Sequence, residues 1–337
     1  MNQEVNAVGE LASPALGTFR LGNKVFPGLV RDDRVFDVGT LVPGVNTVLD
    51  ALTVWDDNAG LFESEGVTEA ESWRVDDLEV LPPIQPVGSI FAAGANYREH
   101  ILQITVAHKL GRADADEETL RLEAATETDE RSRTGEPYFW AGLPSAVSGA
   151  YDDVILPEVG DEVDWELELG VVIGKTAYKV SRHDALDYVA GYTIVNDISA
   201  RSLVPRKDIP MMGTDWYRSK NHPTFFPTGP YVIPRRYIPD PQDLEIRLAL
   251  NGDVLQSART DGMLFDVRSL LSYASSFAIL RPGDVLITGS PHGNGSHWGR
   301  FLQDGDVMEA GISGLGVQRN KVVGPTGQLA PWHKDRK

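Results

Sequence analysis

Apolar and acidic positions alternate most sharply between Asp164 and Asp197, in the run DWELELGVVIGKTAYKVSRHDALDYVAGYTIVND. Successive strand side chains point to opposite faces, so residues two apart share a face. Trp165, Leu167, Leu169, Val171 and Ile173 then make one apolar face, and Glu166, Glu168, Gly170 and Val172 make the other. The two glutamates leave the strand side by side, roughly 7 Å apart at their Cα atoms from the strand rise. Residues 181–190 carry a helical pattern: Ser181 and Asp184 fit a capping box, and Ala185, Leu186, Val189 and Ala190 make an apolar stripe. Gly191 fits a left-handed helix stop, Tyr192 to Asn196 reads as a second strand, and Asp197 stands at its end.

Elsewhere the pattern predicts shorter pieces. Residues 1–17 form a loose polar lead-in. Residues 17–38 read as a β meander with turns at Gly22-Asn23, Pro27-Gly28 and Asp32-Asp33. Helices are expected at 47–55 and 68–73. The prolines of LPPIQPVG, residues 81–88, mark a linker. Ser89 to Gly94 is an apolar strand running into the polar turn NYREH, residues 96–100. Residues 103–136 are charged and poor in apolar residues, an exposed helix and mobile loop that form either a lid or a solvated insertion. Residues 138–140 return to a strand. Residues 244–250 alternate as a half-buried strand, and Asn251-Gly252 is a two-residue hairpin turn. Residues 263–280 are helical in pattern, Arg281 to Asp284 stop them, and Val285 to Ile287 is a buried strand. The glycine-rich turn at 288–295 can offer N–H groups to an oxyanion, and with no helix after it this is no dinucleotide fingerprint. Short strands follow over 301–323, and the tail from Gly324 reads as disordered. The whole is α+β and mainly β: a small N-terminal module over 1–85, a catalytic domain over 86–325 and a tail over 326–337.

Composition narrows the partners. A length of 337 residues allows a sizeable core, and a formal charge of −18 argues against nucleic acid or an anionic membrane, both of which need a basic face. The absence of cysteine excludes disulfides, thiolate nucleophiles and zinc–thiolate sites. No basic leader and no apolar run of about 20 residues is present, so a soluble cytoplasmic protein is expected.

Two carboxylates held so close repel each other unless a proton or a cation intervenes. A third, Asp197, converging on Glu166 and Glu168 makes a cation the better answer than a solvated acidic face. All-oxygen ligands suit Mg²⁺, Mn²⁺ or Ca²⁺ rather than zinc. His100 follows a buried strand directly, which suits an active-site base. His108 reads as a surface residue. Arg201, four residues past Asp197, shares its face if one helical turn joins them, and its fork matches a substrate carboxylate. Lys220 lies in DWYRSKNHPTFFPTGP, a stretch whose aromatics and prolines suit a rigid wall, and can hold an enolate oxygen.

These motifs together resemble the fumarylacetoacetate hydrolase superfamily from about Ser89 to Val323. They are NYREH (96–100), WELELGVVIGK (165–175), GYTIVNDISAR (191–201), RSK (218–220), NG…Q (251–256), LRPGDVLITGSP (280–291) and the late DGD and GLG turns. The 17–38 meander is similar to the small N-terminal module many members carry. The resemblance implies a mixed β-roll, a homodimer, and Mg²⁺ or Mn²⁺ on Glu166, Glu168 and Asp197. It implies a base at His100, oxygen-holding roles for Arg201 and Lys220, and Tyr97, Gln103 and Ser290 at the substrate. Gln103 stands where many members carry a glutamate paired with the histidine, Val204 where a glutamine is common, and Ala141 near an expected lysine. The reaction so implied is hydrolytic cleavage of a C–C bond in a 1,3-diketone or acylpyruvate, with Gln103 orienting His100. Decarboxylation, hydration or enol–keto isomerisation of an oxo acid uses the same site without activated water. A metal-stabilised binding protein is the non-catalytic alternative.

Overall fold

Residues 3–12, 14–64, 67, 70–110 and 114–334 are described in the computed structural model of the chain. The β-branched and aliphatic run Leu167–Ile173 forms the central strand, and all of its residues are buried. It pairs antiparallel with Val189–Asn196, in a register that sets Leu167 opposite Asn196 and Glu168 opposite Val195. On its other side it pairs with Val285–Ile287, which in turn runs parallel to Ile90–Gly94. Tyr138–Gly142 closes that edge, and Phe226–Thr228 with Val147–Gly149 close the opposite one. A second mixed sheet joins Asp253–Arg259, Glu245–Leu250, Val307–Ile312, Gly316–Val323 and Val154–Ile155. The architecture is α+β and mainly β.

The N-terminal meander folds as expected into the strands Ala15–Leu21, Lys24–Arg31 and Arg34–Asp37, joined by Ser72–Arg74 and Glu79–Leu81 in a five-stranded sheet. Pro27 lies inside a strand rather than at a turn. It faces Thr18 on one side and lies beyond the register with Arg34–Asp37 on the other, where strand proline is tolerated. Thr47 caps the helix Val48–Thr53 through a complete capping box, and Trp55–Phe62 follows. The helix expected at 68–73 is not there: Ser72–Arg74 is a strand, and Thr68 and Glu69 lie outside the described residues. The 81–88 segment is no exposed linker, since Leu81, Ile84 and Val87 are buried.

The two faces of the central strand go to different cores. Trp165, Leu167, Leu169, Val171 and Ile173 pack with Phe19 and Phe26 of the N-terminal sheet. Val172 packs instead with Val48, Trp55 and Phe62 of the N-terminal helices. Removing such side chains from water is the main stabilising term, about 25 cal/mol per Å² of apolar surface. It fixes which way Glu166 and Glu168 point.

Long-range pairing overrides local pattern at 181–190. Ser181 Oγ accepts from the Asp184 N–H at 3.2 Å as a cap would, but its hydroxyl donates to Asp184 Oδ2 at 2.8 Å, so the capping box is only half formed, and only a 3₁₀ turn, Ala185–Tyr188, follows. Val189 is already opposite Ile173 in the ladder. Gly191 is a strand residue where a Cβ would lie 2.4 Å from the Ile233 carbonyl oxygen, so the glycine permits close strand approach and is not a helix stop.

Arg98–Ala107 and Glu117–Thr134 are the helices of the charged region. Of the loop between them, residues 111–113 lie outside the described residues. The second helix docks on the first through Arg98–Asp129 (2.7 Å) and Arg121–Glu99 (2.6 Å), and buries Leu120 and Ala124. Asn251 and Gly252 both take positive φ at the expected hairpin turn. The expected 263–280 helix spans Val267–Phe277. The segment past Gly324 is ordered as far as it is described: Trp332 is 3% exposed and donates from Nε1 to Asp152 Oδ2 at 2.9 Å. Residues 335–337 of the expected disordered tail lie outside the described residues. Among the described residues no helix is long and apolar enough to cross a membrane.

Candidate active site

The ladder register builds the carboxylate cluster. The Asp197 N–H donates to the Glu166 carbonyl at 2.8 Å, and the Glu166 N–H donates to Asn196 Oδ1 at 3.0 Å. Asp197 is thereby held across from the two glutamates. Glu166, Glu168 and Asp197 are all buried, and one carboxylate oxygen from each lies within 4.8 Å of the others. The sequence-predicted triad is assembled as expected.

Two cations answer it. Lys220, at the end of the helix Trp216–Lys220, donates to Glu166 Oε2 at 2.6 Å and also to Asp197 Oδ2. Arg201 donates from Nη2 to Glu166 Oε1 at 2.5 Å and from Nε to Asp164 Oδ2 at 2.9 Å. Arg201 does not share a helical face with Asp197. Residues Ser199–Ala200 are a short strand, and the extended backbone carries Arg201 towards Asp164 and Glu166 instead.

Burial pushes the Glu166 carboxyl up, but the charges of Arg201, Lys220 and His100 outweigh it and hold the group well below the usual carboxylate range. Glu168 moves the other way, raised well above that range by burial, then by Asp197 and Glu166. Burial likewise lifts Asp197 to about 7 against the pull of Lys220. The cluster therefore carries more negative charge than its two cations comfortably balance.

The oxygen-only donor set fits a hard divalent cation. Asp197 Oδ1 is a buried acceptor with no hydrogen-bond partner among the described residues, as suits an oxygen that would ligate a cation. Glu166, Glu168 and Asp197 would hold it.

His100 lies in the first turn of the helix Arg98–Ala107, 5% exposed, with Nε2 3.7 Å from Glu166 Oε1. That separation is longer than a hydrogen bond. Burial pulls the imidazole down to about 4, with Glu166 opposing and Arg201 assisting, so it is neutral at physiological pH and free to accept a proton. Asn96 fixes the approach. Its side chain bonds the Thr288 and Phe265 carbonyls at 2.8 and 3.0 Å, tying the end of Ile90–Gly94 to the glycine turn.

The cavity over this cluster holds about 570 Å³ and is lined by His100, Glu166, Glu168, Asp197, Arg201, Lys220 and Ser290. Ser290 accepts from Gln256 Nε2 at 3.1 Å. Tyr97 and Gln103 are not among the lining residues. Tyr97 is buried, its hydroxyl without a partner among the described residues, and burial and Glu168 raise its pKa. Gln103 does not orient His100: its Oε1 accepts from the Gly293 N–H at 2.9 Å instead. The exposed His108 reaches the cavity wall and sits 3.2 Å from Ser296 Oγ.

The glycine turn serves the protein's own acids rather than an open oxyanion position. Gly289, at φ +89°, donates its N–H to Glu168 Oε2 at 2.6 Å, and Gly295 donates to Asp164 Oδ1 at 2.6 Å. A one-turn helix, Gly295–Trp298, does follow the turn. Sequence reasoning missed Asp164, which is fully buried and also receives the Ser296 N–H and hydroxyl. It missed Trp140 and Trp216 too, whose rings lie 5.3 and 5.6 Å from Lys220 Nζ and wall the cavity.

Comparison with known proteins agrees with this geometry. Residues 89–323 match the family described as fumarylacetoacetate (FAA) hydrolase, C-terminal. The chain belongs to the fumarylacetoacetate hydrolase family. It is 35% identical over 302 residues to a 2,4-didehydro-3-deoxy-L-rhamnonate hydrolase of Sphingomonas sp., covering 88% of this chain and 91% of that protein. It is 40% identical over 190 residues to a human mitochondrial oxaloacetate tautomerase, covering 56% of this chain and 59% of the relative. Among solved structures, maleylpyruvate hydrolase from Sphingobium sp. SYK-6 with manganese(II) and pyruvate superposes with a TM-score of 0.70 at 27% identity, over 93% of this chain and all of that one. A fumarylacetoacetate hydrolase from Exiguobacterium antarcticum gives 0.73 at 26% identity, again over 93% of this chain and all of that one. These relatives of the family are enzymes, and they span hydrolases and tautomerases.

Proposed function

We propose that this chain is a divalent-metal-dependent enzyme that cleaves a carbon–carbon bond of a 1,3-diketone or acylpyruvate-type substrate through an enolate. One observation carries the reading: three buried carboxylates converge on a point beside a buried, neutral imidazole. The cation is Mg²⁺ or Mn²⁺, with Ca²⁺ able to substitute, since all accept oxygen ligands. Bound there, it would supply Lewis acidity to the substrate's oxygens.

The chain's own residues do the rest. His100 Nε2 takes a proton from water, and the hydroxide adds to the acyl carbonyl carbon. The bond from that carbon to the neighbouring methylene breaks, and its electron pair passes to the enolate of the 2-oxo acid. The imidazolium returns the proton to the enolate carbon, so one water is consumed and two acids leave. Arg201 and Lys220 offset the negative charge that develops. Residues 86–325 hold this machinery and 1–85 support it, in a cytoplasmic homodimer that sedimentation would test.

Enol–keto isomerisation, decarboxylation or hydration of an oxo acid is the second reading. Gln103 favours it, because it bonds Gly293 and leaves His100 Nδ1 without a partner among the described residues. An imidazole lacking an acceptor partner suits a proton shuttle between carbon and oxygen.

A mass-resolved product assay separates the two. Acylpyruvates, 1,3-diketones and β-oxo acids would be presented to the metal-loaded protein with and without EDTA. Two fragments with water added, lost with EDTA and with His100→Ala, support the hydrolase. Released CO₂ or a product of unchanged mass supports the second reading. Turnover that survives His100→Ala removes the imidazole from both.

A further inference from the structure

We infer that the arm of the substrate beyond its chelating oxygens is apolar and uncharged, and that the site selects against a second carboxylate. This rests on the 2-oxo-acid reading above and narrows it to branched aliphatic or aromatic arms.

Away from the carboxylate cluster the cavity wall includes Ile104, Leu110, Tyr138, Trp140, Val204 and Trp216, with Thr214 and His108 as its polar side chains. Trp140 is held rigid by stacking on Phe226 at 6.0 Å and against Trp216 at 6.4 Å. An isopropyl or phenyl arm against this wall leaves water, which favours its binding. A carboxylate there gives up hydration, and the basic side chains among the described lining residues are Arg201, Lys220, His100 and His108.

The cations that line the cavity are already engaged. Arg201 is shared between Asp164 and Glu166, and Lys220 between Glu166 and Asp197. His108 is the remaining basic side chain on the wall, and it bonds Ser296. Four buried carboxylates face two cations, so a divalent ion brings the site to neutrality. One substrate carboxylate then adds a single charge, and a dicarboxylate adds two in a place of low dielectric. The overall charge of −18 also disfavours the approach of a dianion.

Unreactive 2-oxo acids test this without turnover. 4-Methyl-2-oxovalerate, phenylpyruvate and 2-oxoglutarate would each be titrated onto the full chain loaded with Mn²⁺, followed by tryptophan fluorescence and by water-proton relaxation of the ion. The first two are expected to bind on the order of tenfold more tightly than 2-oxoglutarate. Val204→Arg, which places a cation on the apolar wall, is expected to narrow or invert that ratio with Mn²⁺ affinity unchanged. Equal or tighter binding of 2-oxoglutarate by the unmodified protein overturns the inference and leaves the 2-oxo-acid reading intact. A His108→Gln variant that then loses the preference for 2-oxoglutarate would identify the group that had been misjudged. Binding of none of the three, with Mn²⁺ demonstrably bound, overturns the 2-oxo-acid reading itself and the inference with it.

Discussion

Arg201 is fixed by Asp164: its Nε donates to Asp164 Oδ2 at 2.9 Å, and Asp164 is completely buried. The same carboxylate receives the N–H groups of Trp165 at 2.8 Å and Gly295 at 2.6 Å. It therefore couples the strand that carries the glutamates, the arginine and the glycine turn. Asp164 is not among the residues lining the cavity and acts through Arg201 as a positioning residue. Asp164→Asn keeps the shape and removes the charge that orients the guanidinium. We expect kcat/KM to fall about 10- to 100-fold, as for other groups that orient a catalytic shell, and stability to fall by about 1–3 kcal/mol. Steady-state kinetics and urea denaturation of the same protein read both. If Asp164→Asn lowers stability while KM and kcat stay put, the residue is only structural. Combining it with Arg201→Lys gives less than additive loss if the two act as one unit.

Glu168 is the carboxylate the protein itself compensates least. Its Oε2 receives the Gly289 N–H at 2.6 Å, while Lys220 and Arg201 reach Glu166, Asp197 and Asp164 instead. Breaking one partner of a buried ion pair normally destabilises a protein. Here the substitution Glu168→Gln relieves like-charge repulsion and keeps an oxygen for Gly289. We expect the variant without metal to melt at or above the parent temperature. Saturating Mn²⁺ should raise the parent's melting temperature, by about 2.7 kcal/mol of stability at a hundredfold excess over Kd, and leave Glu168→Gln unmoved. Differential scanning fluorimetry with Mn²⁺ and with EDTA measures both. A parent protein indifferent to Mn²⁺ would sink the metal assignment.

What the chain made legible follows from which forces act locally. The alternation in Trp165–Ile173 has one physical solution, a strand with an apolar face, and it oriented Glu166 and Glu168 correctly. Asp197 was legible because a strand end must follow an apolar run. Asp164 was not, because its partners lie far along the chain and the Val163–Asp164 strand pairs with Ser199–Ala200. Helical spacing misplaced Arg201, because the four-residue rule describes neighbours on one helix and its side chain bonds Asp164 and Glu166 instead, while Gln103, expected beside His100 from the family resemblance, bonds Gly293. The helix expected at 181–190 lost to the ladder between Ile173 and Val189.

Asp306 supplies a pH test outside the site. Burial pushes its carboxyl up, but Arg300 at 2.6 and 2.8 Å, Asn251 at 2.8 Å and the Gln303 N–H at 2.7 Å outweigh it, so its pKa is lowered. A carboxylate depressed on folding stabilises the protein above its unfolded pKa of about 3.9, and the contribution is lost as pH falls through the folded value. Asp306→Asn should therefore cost about 1–2 kcal/mol near pH 7, and the gap between variant and parent should shrink on acidification. Urea midpoints at neutral pH and below about pH 3.9 give the comparison. A gap that widens in acid contradicts the sign.

Gln103 separates a clamp from a catalytic partner. It lies three residues past His100 on one helix, yet its oxygen accepts from Gly293, at φ +95°, and does not reach the imidazole. Its part is to hold the turn whose N–H groups engage Glu168 and Asp164. Gln103→Leu leaves the Gly293 N–H unpaired in a half-buried place, which costs about 1–3 kcal/mol. Melting temperature should fall, and kcat should fall by less than about tenfold, because the base keeps its position. Gln103→Glu keeps an acceptor for Gly293 and should recover most of the lost stability. An unchanged melting temperature with kcat down by more than about a hundredfold in Gln103→Leu would mean the residue serves His100 directly, the scale on which a lost general base is felt. In that case the turn has another support, and the mechanism must include Gln103.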